Sequence, residues 1–174
     1  MAELVRGEGF ADLFRRFSSS AWRWEAQGTY RQPDEAEPWR RWLDGVPVSA
    51  DLAWLAPWLD LVRAATRAGK GFERVRMITE PLTEYLRWQM EVTPANLDAG
   101  EDIRILSEAD AGRLNLPDHD FWLFDDERVA VLHFGPSDLD GAEIITDPAT
   151  VARYRTWRDA AWRLAVTFQQ YTRL

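Results

Sequence analysis

The period at which apolar residues recur changes several times along this chain, and the changes mark out its elements. Phe10, Leu13, Phe14 and Phe17 recur at three and four residues, which predicts a short first helix ended by three serines, Ser18 to Ser20. Ala21–Gln27 puts Trp22 and Trp24 on one face and reads either as a strand or as an ordered arm. Pro33 to Leu43 predicts a helix, with Asp34 and Glu35 at its positive end, Gly45 just beyond it, and Trp39, Trp42 and Leu43 as its buried stripe. Ser49 is a suitable N-cap for a helix from about Ala50 to Ala68, on which Leu52, Leu55, Leu59, Val62 and Ala65 share a face.

Phe72–Ile78 then alternates as a strand, and Arg74 and Arg76 fall on the same side of it. A helix opened by Thr79 and Pro81 is expected to run to about Met90, with Leu82, Tyr85, Leu86 and Met90 inward; Thr93–Gly100 reads as a loop or a single helical turn. Ile103–Leu106 is a short strand. Ser107 and Asp110 form a capping signal for a brief helix to Leu114. The aromatic and branched runs Phe121–Phe124 and Arg128–Phe134 predict two strands joined by an acidic turn, Asp125-Asp126-Glu127. Ala142–Thr146 is a further strand. Asp147-Pro148 starts a long terminal helix, on which Val151, Tyr154, Ala161, Leu164, Phe168 and Tyr171 mark one face. The expected fold is α+β: a mainly antiparallel sheet of about four or five strands, with N-terminal helices and a long C-terminal helix. Residues 1–174 are read as one domain, mostly helical over 1–70, with the sheet-containing core over 71–174.

Composition narrows the chemistry. Ten tryptophans, each burying about 150–250 Å², supply a large core or a partner surface. The net charge of -8 disfavours direct nucleic-acid binding. The absence of cysteine removes disulfides, thiolate nucleophiles and Cys-ligated zinc. The N-terminus has no basic region followed by an apolar run, and no stretch approaches the roughly 18 apolar residues of a membrane span, so a cytoplasmic protein is expected. No glycine-rich phosphate loop and no Gly-x-Ser-x-Gly elbow is present.

The ionisable residues admit two readings. Arg74 and Arg76 can grip an anion, or be neutralised by Glu80, Glu84 and Glu91 nearby. Arg87 and Glu91, four apart, can pair on a helix face, and Tyr85 can offer its hydroxyl to a pocket or sit in the core. His119 and His133, with Asp118, Asp120, Asp125 and Asp126, match no metal-ligand spacing, so no metal and no cofactor is expected. Acid/base work by His133 with Asp120 or Asp125 would need these side chains to converge with the two arginines.

Four blocks carry a resemblance: Arg74-Val-Arg-Met-Ile-Thr-Glu-Pro-Leu-Thr-Glu-Tyr-Leu-Arg87, Ala99-Gly-Glu-Asp-Ile-Arg104, Asp120-Phe-Trp-Leu-Phe-Asp-Asp126 and Val151-Ala-Arg-Tyr-Arg-Thr-Trp-Arg-Asp159. From about Trp22 to Ala161 the chain resembles an actinobacterial domain-of-unknown-function family often encoded beside helix-turn-helix regulators. Trp24 and Trp88 are more aromatic than that family leads one to expect. The polar positions carried over are Arg74, Arg76, Glu80, Tyr85, Arg87, Glu101, Asp102, Asp120, Asp125, His133, Tyr154 and Arg158. The resemblance transfers no activity. It implies a non-enzymatic regulatory or signalling module with a protein partner, a helix-turn-helix regulator, held through an aromatic and arginine surface. The alternatives are a hydrolase-like enzyme or a small-molecule sensor with an Arg/Asp/His pocket for an anionic ligand.

Overall fold

The structure is a computed structural model, and it describes residues 4–174. In chain order the strands are β1 (Leu4–Val5), β2 (Ser20–Glu25), β3 (Gly71–Ile78), β4 (Asp102–Ser107), β5 (Phe121–Phe124), β6 (Arg128–Phe134), β7 (Leu139–Ile145) and β8 (Val166–Thr167). The helices are α1 (Gly7–Arg16), α2 (Pro33–Leu43), α3 (Ala56–Arg67), α4 (Glu84–Ala99), α5 (Glu108–Arg113), α6 (Pro148–Leu164) and α7 (Phe168–Tyr171).

The α+β expectation holds, but the sheet is larger and differently wired. Among the described residues eight strands form one sheet in the order β1-β7-β6-β5-β2-β3-β4-β8. β2, β3 and β4 run parallel at its centre, and the remaining pairings are antiparallel. The strand-or-arm segment after α1 is therefore a central strand, and the described residues before β3, which carry α1, α2 and α3, also supply β1 and β2 to the sheet. Parallel neighbours need a long crossover, here α2 with α3 and then α4, which is why β2 pairs with a strand about fifty residues away.

Helices cover both faces, so both faces of the central strands are buried. On one face Phe14, Leu59, Val62, Tyr85, Trp88 and Val92 from α1, α3 and α4 meet Ala21, Phe72, Trp122, Phe124 and Leu132 of the sheet. On the other, Val151, Tyr154 and Ala161 of α6 meet Trp22, Trp24, Val75, Phe121, Leu123 and Val129. The parity of β2 is thus set by its tryptophans: Trp22 and Trp24 face α6, while Ala21, Arg23 and Glu25 face the larger helical layer.

Several boundaries move, each for a local reason. α2 has the expected limits but no buried residue, and Leu43 is 51% exposed, so the stripe Trp39–Trp42–Leu43 is only partly covered. The helix expected from Ala50 starts at Ala56, with Pro57 in its first turn, where a missing N–H leaves no hydrogen bond unmade; Ser49 lies in a single 3₁₀ turn and caps nothing. α4 is capped by Thr83, whose hydroxyl accepts the Leu86 N–H, and continues past Pro94 to Ala99, so Thr93–Gly100 is not a loop. Gly100 ends it at φ 111°, a left-handed turn open to glycine. α6 stops at Leu164; Ala165 is extended and Phe168 and Tyr171 belong to α7.

Candidate functional site

The charged residues of the central strands meet beneath the larger helical layer. Register places Arg23 beside Arg74 and Glu25 beside Arg76 on adjacent parallel strands, with Trp122 opposite Arg23 on the β5 side. Side chains of one parity share a face, so two strands deliver three guanidiniums and a carboxylate to one spot. Glu25, 4% exposed, accepts from Arg74 Nη1 at 2.7 Å and Arg76 Nε at 2.6 Å. Glu101, just before β4, accepts from Arg74 Nε at 2.7 Å. Arg76 also donates through Nη1 to Thr93 Oγ1 and through Nη2 to Gln89 Oε1 of α4.

Asp120 closes the net on the other side. It is fully buried and accepts from Arg23 Nη2 (3.1 Å), the Ala26 N–H (3.0 Å) and the Tyr30 hydroxyl (2.7 Å). On the helical side Tyr85 donates to Glu35 Oε2 at 2.7 Å, and Gln89 Nε2 donates to the Tyr85 hydroxyl at 3.1 Å. Burial by itself would raise the Glu25 carboxyl, but the guanidiniums of Arg76, Arg74 and Arg23 outweigh it and hold the group far below the usual glutamate range. Burial and the Asp120 charge hold the Tyr30 phenol protonated; burial and the Glu35 charge do the same for Tyr85. At Glu35 burial prevails over the Tyr85 hydrogen bond, and its carboxyl lies above the ordinary value.

Above this floor opens a cleft of about 310 Å³. Arg23 and Arg74 reach it from the sheet, Gln89 and Asn96 from α4, and Asp34 and Glu35 from the start of α2. Its walls are Phe10, Phe14, Trp54, Trp58, Trp122 and Phe134. The arginines lie against these rings: the Arg74 guanidinium is 5.8 Å from the Trp58 centroid and that of Arg23 is 5.6 Å from Trp122.

The residues singled out in the sequence divide into two groups. Arg74, Arg76, Tyr85, Glu101 and Asp120 join the net; Arg74 and Arg76 are paired as one reading had it, but by Glu25 and Glu101 in place of Glu80, Glu84 and Glu91. Glu80 and Arg87 are exposed and take no part in it, and Glu91 accepts from Trp42 Nε1 in place of pairing with Arg87. His133 has the same parity as Val131, so it lies on the α6 side, 46% exposed at its side chain and 3.6 Å from Glu143. Tyr154, also on α6, meets His119 at 2.9 Å, and Arg158 pairs with Asp126 and Asp159. Asp102 is exposed at the start of β4, 3.5 Å from Arg104. The convergence of His133 with Arg74, Arg76 and Asp120 required for acid/base work does not occur.

Asp125 serves the fold. At φ 56° in the hairpin turn, it accepts from the backbone N–H groups of Ser18, Ser19 and Ser20 and from the Ser19 hydroxyl, tying the turn to the start of β2. Burial raises its carboxyl, but these donors prevail and keep it below the ordinary aspartate value. Asp125→Ala is expected to cost about 2 kcal/mol, from lost charge-assisted bonds and a left-handed conformation that alanine resists, read as a lower urea midpoint.

Sequence reasoning missed Arg23, Glu25, Tyr30, Glu35, Gln89 and Asn96, and the cleft tryptophans Trp54, Trp58 and Trp122 as a wall. The available signal was the Trp-Arg-Trp-Glu alternation at 22–25: in a strand covered on both faces, charges between tryptophans are buried and need partners.

Fold and site together define an α+β protein with a mixed sheet and an aromatic cleft floored by buried ion pairs. The family model described as "Domain of unknown function (DUF6879)" matches residues 8–173, and the chain belongs to that family. A comparison with curated proteins finds no match. No helix among the described residues is long and apolar enough to cross a membrane.

Proposed function

We propose that this protein is a non-enzymatic regulatory module that senses a small molecule in the cleft over Arg23 and Arg74 and passes the signal to a protein partner. The observation that carries the reading is the floor itself. Three guanidiniums buried against carboxylates are no more stabilising than well-packed apolar residues of the same volume, and often less so. Their position under an aromatic-walled cleft supports recognition as the reason for keeping them. The arrangement does not favour the hydrolase alternative, because the floor carboxylates Glu25 and Asp120 are engaged by arginines and His133 lies across the sheet. The partner expected from the family resemblance is a helix-turn-helix regulator, and the net charge of -8 suits a basic partner surface.

Leu139 is half-buried at the cleft wall, and Leu139→Trp should fill the space without touching the ion pairs. A ligand at ten times its Kd stabilises by about 1.4 kcal/mol, about 3–6 °C for a chain of this size. In a thermal-shift screen of small metabolites, compounds that raise the melting temperature of the native protein are expected to leave Leu139→Trp unmoved. Equal shifts in both proteins would place binding elsewhere and contradict the reading.

A further inference from the structure

We propose that the cleft is built for a small aromatic carboxylate. This rests on the cleft being a ligand site and names what that site takes.

The guanidinium donors of the floor are unevenly engaged. Arg76, which does not line the cleft, has all three nitrogens engaged, by Glu25, Thr93 and Gln89. The two arginines that do line it are incompletely satisfied. Arg74 uses Nε on Glu101 and Nη1 on Glu25, leaving Nη2 without an acceptor among the described residues. Arg23 uses Nη2 on Asp120, and its buried Nε, which makes no hydrogen bond, lies 3.7 Å from Glu25 Oε1; its Nη1 has no acceptor among the described residues. Here the spare N–H groups belong to register neighbours on adjacent strands, about 4.8 Å apart at the backbone. Two guanidiniums side by side suit the two oxygens of one carboxylate, each oxygen taking a charge-assisted bond.

Glu25, Glu101 and Asp120 already balance Arg23, Arg74 and Arg76, and Asp34 and Glu35 also line the cleft. A phosphate ester with two or more charges meets net repulsion there. A single charge shared between two oxygens meets less of that repulsion and can be engaged by the spare donors.

Trp54, Trp58 and Trp122 with Phe10, Phe14 and Phe134 present flat apolar surface, suited to a ring by stacked or edge contacts. A space of about 310 Å³ lies at the small end of ligand pockets and accepts one or two fused rings.

The test is calorimetric titration of the full chain with benzoate and 2-naphthoate, set against benzamide, 2-naphthamide, benzylamine and inorganic phosphate. The acids are expected to bind at least about tenfold more tightly than the amides, the scale of charge-assisted over neutral hydrogen bonds. Phosphate is expected to give no heat. Leu139→Trp should abolish binding of the acids, and Arg74→Lys, once its fold is verified by circular dichroism, should lose most of the acid–amide difference. If Arg74→Lys does not fold, the acid–amide ratio in the native chain decides alone. Amides or benzylamine binding as tightly as the acids, with the block by Leu139→Trp intact, would overturn the carboxylate assignment and leave the cleft reading standing. No binding by any ring compound, or binding indifferent to Leu139→Trp, would overturn both.

Discussion

Glu25→Gln is expected to destabilise the protein by about 3–5 kcal/mol, the scale for breaking a buried ion pair by removing one partner. The substitution keeps the size of the side chain and removes the charge that faces Arg74 and Arg76 at 2.7 and 2.6 Å. Arg74 retains Glu101, but Arg76 is left with the neutral partners Thr93 and Gln89 in a fully covered site. The cost is the desolvation of unpaired guanidinium, which a neutral amide cannot offset. The effect should depend on pH in a defined direction. The Glu25 carboxyl is depressed in the folded state, so its contribution is fully present above the ordinary value of 4.5 and is lost as pH falls below it. Urea unfolding at pH 7 should therefore show the full difference between native and Glu25→Gln proteins, and the difference should narrow in acid. A loss below about 1 kcal/mol at pH 7 would mean that water or a rearranged carboxylate replaces Glu25, and that the net is looser than its geometry indicates.

Asp120→Asn is expected to be nearly as damaging, at about 3 kcal/mol. Asp120 accepts from three donors of different origin: a guanidinium, a backbone N–H and a phenol. An asparagine has one acceptor oxygen, so at most part of this set is satisfied, and its amide N–H₂ is turned toward groups that donate. Arg23 would then keep only Glu25, 3.7 Å from its Nε. Because Asp120 also fixes the loop after β2 through Ala26 and Tyr30, the variant should loosen the entry to α2 as well as lower global stability. Faster amide exchange at Ala26 and its neighbours, beyond that of β6, is the expected signature by hydrogen-exchange mass spectrometry. Uniform change across the sheet would assign Asp120 a purely global role.

The elements readable from the sequence were those whose cause is local. The Phe121–Phe124 and Arg128–Phe134 strands appear at their predicted bounds, because aromatic and branched runs flank a turn whose aspartates tolerate positive φ. Ser107 and Asp147 cap α5 and α6 as read, since a cap acts within three residues. What was not readable depends on distant pairing. Arg74 and Arg76 were correctly placed on one face, yet their carboxylate in β2 lies 49 and 51 residues away, and no spacing rule connects them. The parallel centre was missed for the same reason, and the two-residue edge strands β1 and β8 are too short to show a period. His133 illustrates the cost of an unknown register: one residue of parity separates it from Leu132, and that residue puts it across the sheet from the arginines.

The central claim is that the aromatic cleft over Arg23 and Arg74 is where this protein meets its ligand. The indole N–H resonances test it directly, because Trp54, Trp58 and Trp122 line the cleft while Trp157 and Trp162 lie on the α6 face and serve as internal controls. Titrating 2-naphthoate into ¹⁵N-labelled protein is predicted to shift the indole signals of Trp54, Trp58 and Trp122 and to leave those of Trp157 and Trp162 in place. Shifts confined to Trp157 and Trp162, or no indole shift at saturating ligand, would contradict the claim.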